Sequence, residues 1–293
     1  MESLNPESKM KVLITGGKGQ LAQAFKAFFQ TQNVTFRALG REELDISNPF
    51  AVFEVIREYK PTVVINCAAY NLVDRAEEAF GEAYKVNSLG PYNLALASKE
   101  NGCFLIHFST DYVFDGRKGD LYEEEDLPRP INKYGWSKYL GEKGVRELLE
   151  DTLIFRVSWL FGPGRQNFLA KLCTWAQGQE TLRLAYDEFS VPTYVKTVAE
   201  VAWKAYQKGL RGLYHLTSRG YCSRLEWAKF FLAQRGIKRK LIPVSAQSFG
   251  LPAVRPFFSA LSPKKLEQDL GIILPSWQEE VRRYTSTLSG EPL

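Results

Sequence analysis

An α/β fold, in which a doubly wound parallel sheet carries a smaller C-terminal α/β lobe, is what this 293-residue sequence predicts. Three observations lead there. Short β-branched runs alternate with amphipathic stretches from Lys11 onward, the pattern left by successive βαβ units. A glycine-rich turn follows the first of those runs and opens a helix. After Gly162 the texture changes to shorter, aromatic-rich segments, punctuated by Pro192, Pro243, Pro252, Pro256, Pro263 and Pro275.

The elements follow in order. Lys11-Val-Leu-Ile-Thr15 is the first strand, and Leu21, Ala24, Phe25 and Phe28 then recur at helical spacing before a strand-like Val34 to Ala38. Asn48-Pro49 reads as an N-cap followed by proline at the first helical position, with Val52, Val55 and Ile56 facing inward. Pro61 to Asn66 is a continuous apolar run of the kind buried on both faces of a parallel sheet. Tyr84 to Lys99 reads as a helix with a kink or break at Gly90-Pro91, while Phe104 to Ser109 and Thr152 to Val157 add strands. The expected organisation is a disordered lead-in over 1–10, a dinucleotide-binding domain over 11–162 and a substrate-binding lobe over 163–293. Helix 196–208 offers Val198, Ala199, Val201 and Ala202 for packing back on the first domain.

Composition narrows the function. The 38 basic and 33 acidic residues leave +5, spread without the stripe that a nucleic-acid groove needs. No apolar stretch reaches the roughly 18 residues of a membrane span, and the polar Met1 to Lys9 has no signal-like core, so a cytoplasmic location is expected. Cys67, Cys103, Cys173 and Cys222 form no C-x-x-C pair and read as thiols in a reducing compartment. His107 and His215 both sit in strand-like runs, too few and too apolar in context for zinc chemistry; no metal is expected.

The residues that carry chemistry begin at Thr15-Gly-Gly-Lys-Gly-Gln-Leu-Ala22, a G-x-x-G-x-x-A turn. Gly16 and Gly19 let the backbone approach a pyrophosphate, the helix start at Gln20 and Leu21 offers unpaired N–H donors, and Ala22 permits close helix packing. Such a turn can be merely flexible, but its place between strand and helix points to a Rossmann-type dinucleotide site. About 20 residues on, where an acid would bind a ribose 2′-hydroxyl, stands Arg41, which can pair with a 2′-phosphate. NADPH is therefore expected over NADH, with NADH still open and a solvated surface arginine as the competing reading of Arg41.

Tyr134-Gly-Trp-Ser-Lys138 puts a phenol and an ammonium on one helix face, one turn apart. The ammonium is expected to lower the phenol from its usual pKa of about 10 and make it a proton donor and acceptor. Thr110, at the end of the strand leading into Asp111, could deliver a hydroxyl beside it to polarise a carbonyl.

These residues together resemble the extended short-chain dehydrogenase/reductases and, among them, the dTDP-4-dehydrorhamnose reductase family. The resemblance runs from Lys11 to about Leu288. It rests on Gly16 to Leu21, Asn66 to Tyr70, Val73 to Glu77, Ser109 to Gly116, Tyr134 to Glu142, Arg156 to Gly162, Asp187 to Thr193 and Arg255-Pro256 with Ser259 and Leu261. It implies a reductase that passes a hydride from NADPH to the C4 keto group of a deoxythymidine-diphosphate sugar. Tyr134 would donate the proton, Lys138 would hold the nicotinamide ribose and Thr110 would assist at the carbonyl. Gly19, Gln20 and Leu21 would contact the pyrophosphate, Asp45 and Ile46 the adenine, and Ala69, Tyr70 and Asn71 the middle of the cofactor. Thr110, Asp111, Tyr134 and Trp159 would meet the sugar, and Arg255 its phosphates.

Tyr112 stands where 4,6-dehydratases similar to this chain carry a glutamate, which favours simple reduction. Asn71, Glu188 and Ser190 replace the family's usual threonine, glutamine and glycine, so the sugar itself is less fixed than the reaction. Two other readings stay in play: a reductase of another nucleotide-linked 4-keto-6-deoxysugar, and a non-catalytic NADP-binding subunit, like the regulatory subunit of methionine adenosyltransferase that the family also resembles. A homodimer is compatible with the resemblance. The glutamate-bound magnesium of some bacterial relatives has no matching acidic cluster, since the first helix carries Ala24 and Lys26 instead.

Overall fold

Backbone pairing follows the alternation in the sequence. The computed structural model describes residues 10–164 and 167–288; Met1 to Lys9, expected as a lead-in, lie outside the described residues. The first strands are β1 (Lys11–Thr15), β2 (Thr35–Leu39), β3 (Val63–Asn66), β4 (Phe104–Thr110) and β5 (Thr152–Val157). The later ones are β6 (Leu160–Phe161), β7 (Thr181–Ala185), β8 (Phe189–Ser190), β9 (Thr193–Tyr194), β10 (Gly212–His215), β11 (Cys222–Ser223) and β12 (Lys240–Val244). A six-stranded parallel sheet runs in the order β10-β5-β4-β3-β1-β2, and the pairs β6/β9, β7/β12 and β8/β11 stand outside it. The strand order reverses direction between β1 and β3, so the crevice for a ligand lies beyond their carboxyl ends.

Helices cover both faces. They are α1 (Gln20–Thr31), α2 (Pro49–Tyr59), α3 (Phe80–Tyr84), α4 (Gly90–Asn101) and α5 (Lys133–Leu148), then α6 (Phe168–Gly178), α7 (Val195–Gln207), α8 (Arg224–Gln234), α9 (Lys264–Leu270) and α10 (Trp277–Thr287). Successive strand residues point to opposite faces, so Val12 and Ile14 join one core and Leu13 the other. The first core takes in α1 and α7, where Phe29 meets Trp203 edge-on at 4.7 Å, and continues into Trp227 and Phe231 of α8. The second packs Val52, Ile56, Leu94 and Val145 of α2, α4 and α5 against Val64, Leu105 and Ile154. Each such buried aliphatic side chain contributes roughly 1.5–3 kcal/mol. Among the described residues no helix is long and apolar enough to cross a membrane.

Local details depart from the sequence reading at two helices. In α1 the buried residues are Leu21, Ala22, Phe25 and Phe29, whereas Ala24 and Phe28 are only partly covered. The inward face is turned by about one residue because Ala22 must lie against the strand that the glycine turn leaves. The expected break at Gly90-Pro91 is instead a widened turn. A π-helical segment over Lys85–Leu89 joins α3 to α4, and it absorbs the N–H that Pro91 cannot supply. Asn48 caps α2 through Ala51 N–H with Pro49 in the first turn, as the sequence indicates.

Polar residues on buried strands are satisfied sideways. Thr15 Oγ1 donates to Asn66 Oδ1 at 2.7 Å, and Asn66 Nδ2 lies 3.1 Å from His107 Nδ1, across three neighbouring strands in register. Burial holds His107 well below the usual imidazole range, so it is neutral.

Helix α5 is held close by two glycines. A Cβ on Gly135 would lie 2.2 Å from the Tyr112 carbonyl oxygen, and one on Gly141 would lie 2.0 Å from that of Asn87. Gly144, on the same helix, would meet only Tyr92 Cδ2 at 3.4 Å. Urea denaturation of Gly141→Ala is expected to show a loss of about 1–3 kcal/mol, while Gly144→Ala stays within about 1 kcal/mol of the parent or gains stability. Equal effects would remove the close approach from the account.

Candidate active site

The end of β4 turns sharply into a short 3₁₀ segment, Asp111–Val113, and that turn gathers the polar groups. Thr110 caps it by accepting from Tyr112 N–H at 3.2 Å. Its hydroxyl also acts on the Tyr134 phenol of α5, and it lies 3.2 Å from Asp111 Oδ1. One turn along α5, Lys138 donates to the Phe108 carbonyl at 2.5 Å. Asn132 caps α5 by accepting from Gly135 N–H at 2.7 Å, and its amide donates to Val254 O at 2.8 Å. The helix start is thereby pinned to the C-terminal part of the chain. Thr110, Tyr134 and Lys138, separated in sequence, are brought together.

The electrostatics differ from the sequence expectation. Burial pushes the Tyr134 phenol up to about 12, and the neighbouring Thr110 hydroxyl only moderates this. The ammonium expected to lower it is spent on a backbone carbonyl, and burial brings Lys138 itself down to about 8. Tyr134 is thus a fully protonated acid at neutral pH. Asp111 is buried as well and rises to about 6, against hydrogen bonds from Ser259 Oγ at 2.5 Å and Ser190 Oγ at 2.9 Å. Ser190, in the family's glycine position, therefore supplies a bond that glycine cannot.

The glycine turn has the shape that a pyrophosphate requires. Gly16 has φ 64°, and a Cβ there would stand 2.6 Å from the Ala68 nitrogen. Helix α1 begins at Gln20 with Gly19 as an N-cap that has no side chain, so among the described residues its first-turn N–H groups have no capping side chain. The Gln20 side chain is engaged with the carbonyls of Gly162 and Pro163, both at 3.0 Å, which leaves its backbone N–H for a ligand beside that of Leu21. The Ser109 hydroxyl and the Tyr70 hydroxyl are buried without partners among the described residues, groups that a bound molecule would satisfy.

Other expected residues fall around this centre. Asp45 accepts from Ser47 N–H and Oγ, and Ile46 is buried against Gly90 with its carbonyl taken by Asn93. The Ile46 side chain is thus packed away from the crevice. Arg41 is 80% exposed at the edge of β2, 3.9 Å from Asp45, with Lys18 of the glycine turn paired to Glu42 at 2.9 Å nearby. Ala69 and Asn71 flank Tyr70 in the loop after β3. Arg255 grips Asp74 through two bonds of 2.6 and 2.7 Å and donates to Ala253 O. Trp159, at φ 38°, has the near-parallel ring of Trp227 at 5.5 Å and the Arg224 guanidinium 3.5 Å from its centre.

Sequence reasoning missed Asn87. The π-helical turn swings its amide inward, where it accepts from Tyr70 N–H at 2.8 Å and donates to Tyr70 O and Ser137 Oγ at 3.0 and 2.9 Å. The only local signal was a polar residue within a helical apolar pattern. A cavity of about 600 Å³ adjoins the centre, with Phe168, Trp175, Glu188, Arg224 and Arg255 in its wall. Tyr112 links the two, since its hydroxyl donates to Glu188 at 3.3 Å.

The model of the RmlD substrate binding domain matches residues 10–289. The chain is 34% identical to the spore coat polysaccharide biosynthesis protein SpsK of Bacillus subtilis, over 94% of this chain and 96% of that protein. It is 35% identical to a dTDP-4-dehydrorhamnose reductase of Burkholderia thailandensis, over 93% and 97% of the two chains. The crystal structure of a Bacillus anthracis dTDP-4-dehydrorhamnose reductase in complex with NADP superposes with a TM-score of 0.92 at 36% identity, covering 95% of this chain and 99% of that one.

Asp111 makes a stability measurement diagnostic. Its pKa of about 6 lies above the unfolded value of about 3.9, so the native state binds the proton more tightly and loses stability as pH rises between them. The stability difference between the parent and Asp111→Asn is expected to fall from pH 4 to pH 6 and level off above. A flat or rising difference would count against a buried, desolvated carboxylate.

Proposed function

The chain belongs to the RmlD substrate binding domain family, and from that premise we propose that it reduces the C4 keto group of dTDP-4-dehydro-L-rhamnose to dTDP-L-rhamnose, with hydride from NADPH and a proton from Tyr134. The observation that carries this reading is the gathering of Thr110, Tyr134 and Lys138 at the end of β4, together with a glycine turn that opens α1 without a side-chain cap. In this reading Gly16, Gly19, Gln20 and Leu21 hold the pyrophosphate and Arg41 pairs with the 2′-phosphate. Asp45 and Ile46 border the adenine through their backbone. Ala69, Tyr70 and Asn71 line the middle of the cofactor, in a loop that Asn87 fixes. When bound, NADPH supplies the hydride that reaches C4.

The chain's own residues manage the proton. Tyr134 begins as a neutral phenol because its pKa stands near 12, and it gives its proton to the oxygen that becomes the C4 hydroxyl. Thr110, beside that phenol, holds the same oxygen and stabilises the charge developing there. Lys138, with a pKa of about 8, keeps most of its charge at pH 7 one turn along α5, anchored on the Phe108 carbonyl. Phenolate then recovers its proton from solvent. Tyr112, placed where dehydratases have a glutamate, gives no carboxyl for the extra proton transfers of elimination.

A second reading, a different nucleotide-linked 4-keto-6-deoxysugar, is favoured by the Glu188 carboxylate in the cavity wall. Turnover of a panel of keto-sugar nucleotides with NADPH separates the two, and a marked preference for another sugar would displace the first. Tyr134→Phe is expected to lower kcat by about 10²- to 10⁴-fold with NADPH affinity kept. Full activity in that variant would contradict Tyr134 as the acid, and the absence of turnover in the parent would favour a cofactor-holding subunit. Arg41→Asp should lower the NADPH-to-NADH ratio of kcat/KM at least tenfold, since it replaces a partner of the phosphate by a like charge. An unchanged ratio would return Arg41 to the surface.

A further inference from the structure

The cavity beside the active site carries three arginines, and they are not equally free. Arg255 is committed to Asp74 by two short bonds and to Ala253 O by a third. Arg183 projects from the exposed side of β7, with Ser248 Oγ at 3.4 Å. Arg224 differs from both. Its side chain is only 20% exposed, and its guanidinium lies 3.5 Å from the centre of the Trp159 ring and 5.1 Å from that of Phe168. Its nearest acid is Glu188, at 3.6 Å, beyond hydrogen-bond reach. Among the described residues the guanidinium donates no hydrogen bond.

The fold explains the pairing. Strands β8 and β11 are antiparallel with Phe189 opposite Ser223, so Glu188 and Arg224 follow at the next rung, and Arg224 N–H donates to Glu188 O. Arg224 is also the first residue of α8, whose N-terminus Ser223 caps through Glu226 N–H. A planar cation clamped on aromatic rings, with its N–H edge bare and facing a cavity, is costly unless an oxyanion completes it. A single carboxylate at 3.6 Å supplies charge without the hydrogen bonds.

We infer that Arg224 is the residue that receives the diphosphate of the substrate, with two of its N–H groups on phosphate oxygens, while Arg255 stays locked to Asp74 as a strut for the loop that ends at Pro256. The inference rests on the nucleotide-sugar reading above and names a ligand that the reading leaves unassigned. Stacking on Trp159 fixes the plane of the fork in advance, so little side-chain freedom is lost on binding. Glu188 holds the guanidinium until the diphosphate displaces its charge.

Calorimetric titration of the full-length protein with dTDP and, separately, with thymidine tests this. The parent is expected to bind dTDP more tightly than thymidine, and Arg224→Gln to lose about 10- to 100-fold on dTDP with less than about twofold change on thymidine. Arg224→Lys, which keeps the charge but not the fork, should recover only part of the loss. Unchanged NADPH affinity and melting temperature in both variants certify the fold; a collapse of either in Arg224→Gln shifts the comparison to Arg224→Lys, where an undiminished dTDP affinity would overturn the inference. If Arg224→Gln keeps full dTDP affinity while Arg255→Gln loses it, the diphosphate belongs to Arg255 and the inference fails, with the reductase reading intact. A parent that binds no dTDP overturns both.

Discussion

Everything at the centre depends on how closely α5 approaches the loop after β4 and the turn between α3 and α4. Two backbone carbonyls, those of Tyr112 and Asn87, sit where a Cβ on Gly135 or Gly141 would have to be. Only glycine lets the helix come this near, and at that distance Tyr134 reaches Thr110 and Lys138 reaches Phe108 O. The same approach leaves Ser137 bonded to Asn87, which in turn ties down the Tyr70 loop on the cofactor side. Backbone contact thus sets the positions of phenol, ammonium and crevice wall together.

Desolvation then decides the chemistry those groups can do. A phenol raised to about 12 is a weak acid in isolation, yet it is fully loaded with its proton when a carbonyl arrives. An ammonium lowered to about 8 is close enough to neutrality to respond to the charge of its neighbours. Farther in, Glu142 and Arg156 are both buried and paired at 2.6 Å, with His215 at 3.4 Å from the same guanidinium. The Glu142 carboxylate of that pair raises Lys138 and offsets part of its desolvation.

How much of this was legible depended on whether the signal was local. The strands β1, β3, β4 and β5 are short apolar runs whose pattern is complete within a few residues, and Gly16 to Ala22 and Tyr134 to Lys138 are motifs read on a single turn. Those features were open to inspection. The hydrogen bonds of Asn87 cross 17 and 50 positions, the Glu188–Arg224 pair exists because β8 and β11 happen to be antiparallel, and the π-helical turn answers a backbone need at Pro91. None of these is encoded in spacing. The pKa of Tyr134 was misjudged for the same reason: the Y-x-x-x-K spacing places the ammonium nearby, but only the fold reveals that it is turned to the Phe108 carbonyl.

The proposed reaction is delivery of hydride from bound NADPH to C4 of a keto sugar nucleotide, with protonation at the adjacent oxygen. Incubation of the parent protein with dTDP-4-dehydro-L-rhamnose and NADPH deuterated at the reactive C4 position of the nicotinamide, followed by NMR of the product, tests it directly. The expected result is dTDP-L-rhamnose carrying deuterium at C4 of the sugar and at no other carbon. Deuterium at another position, a different sugar epimer, or unreacted keto sugar beside bound cofactor would contradict it.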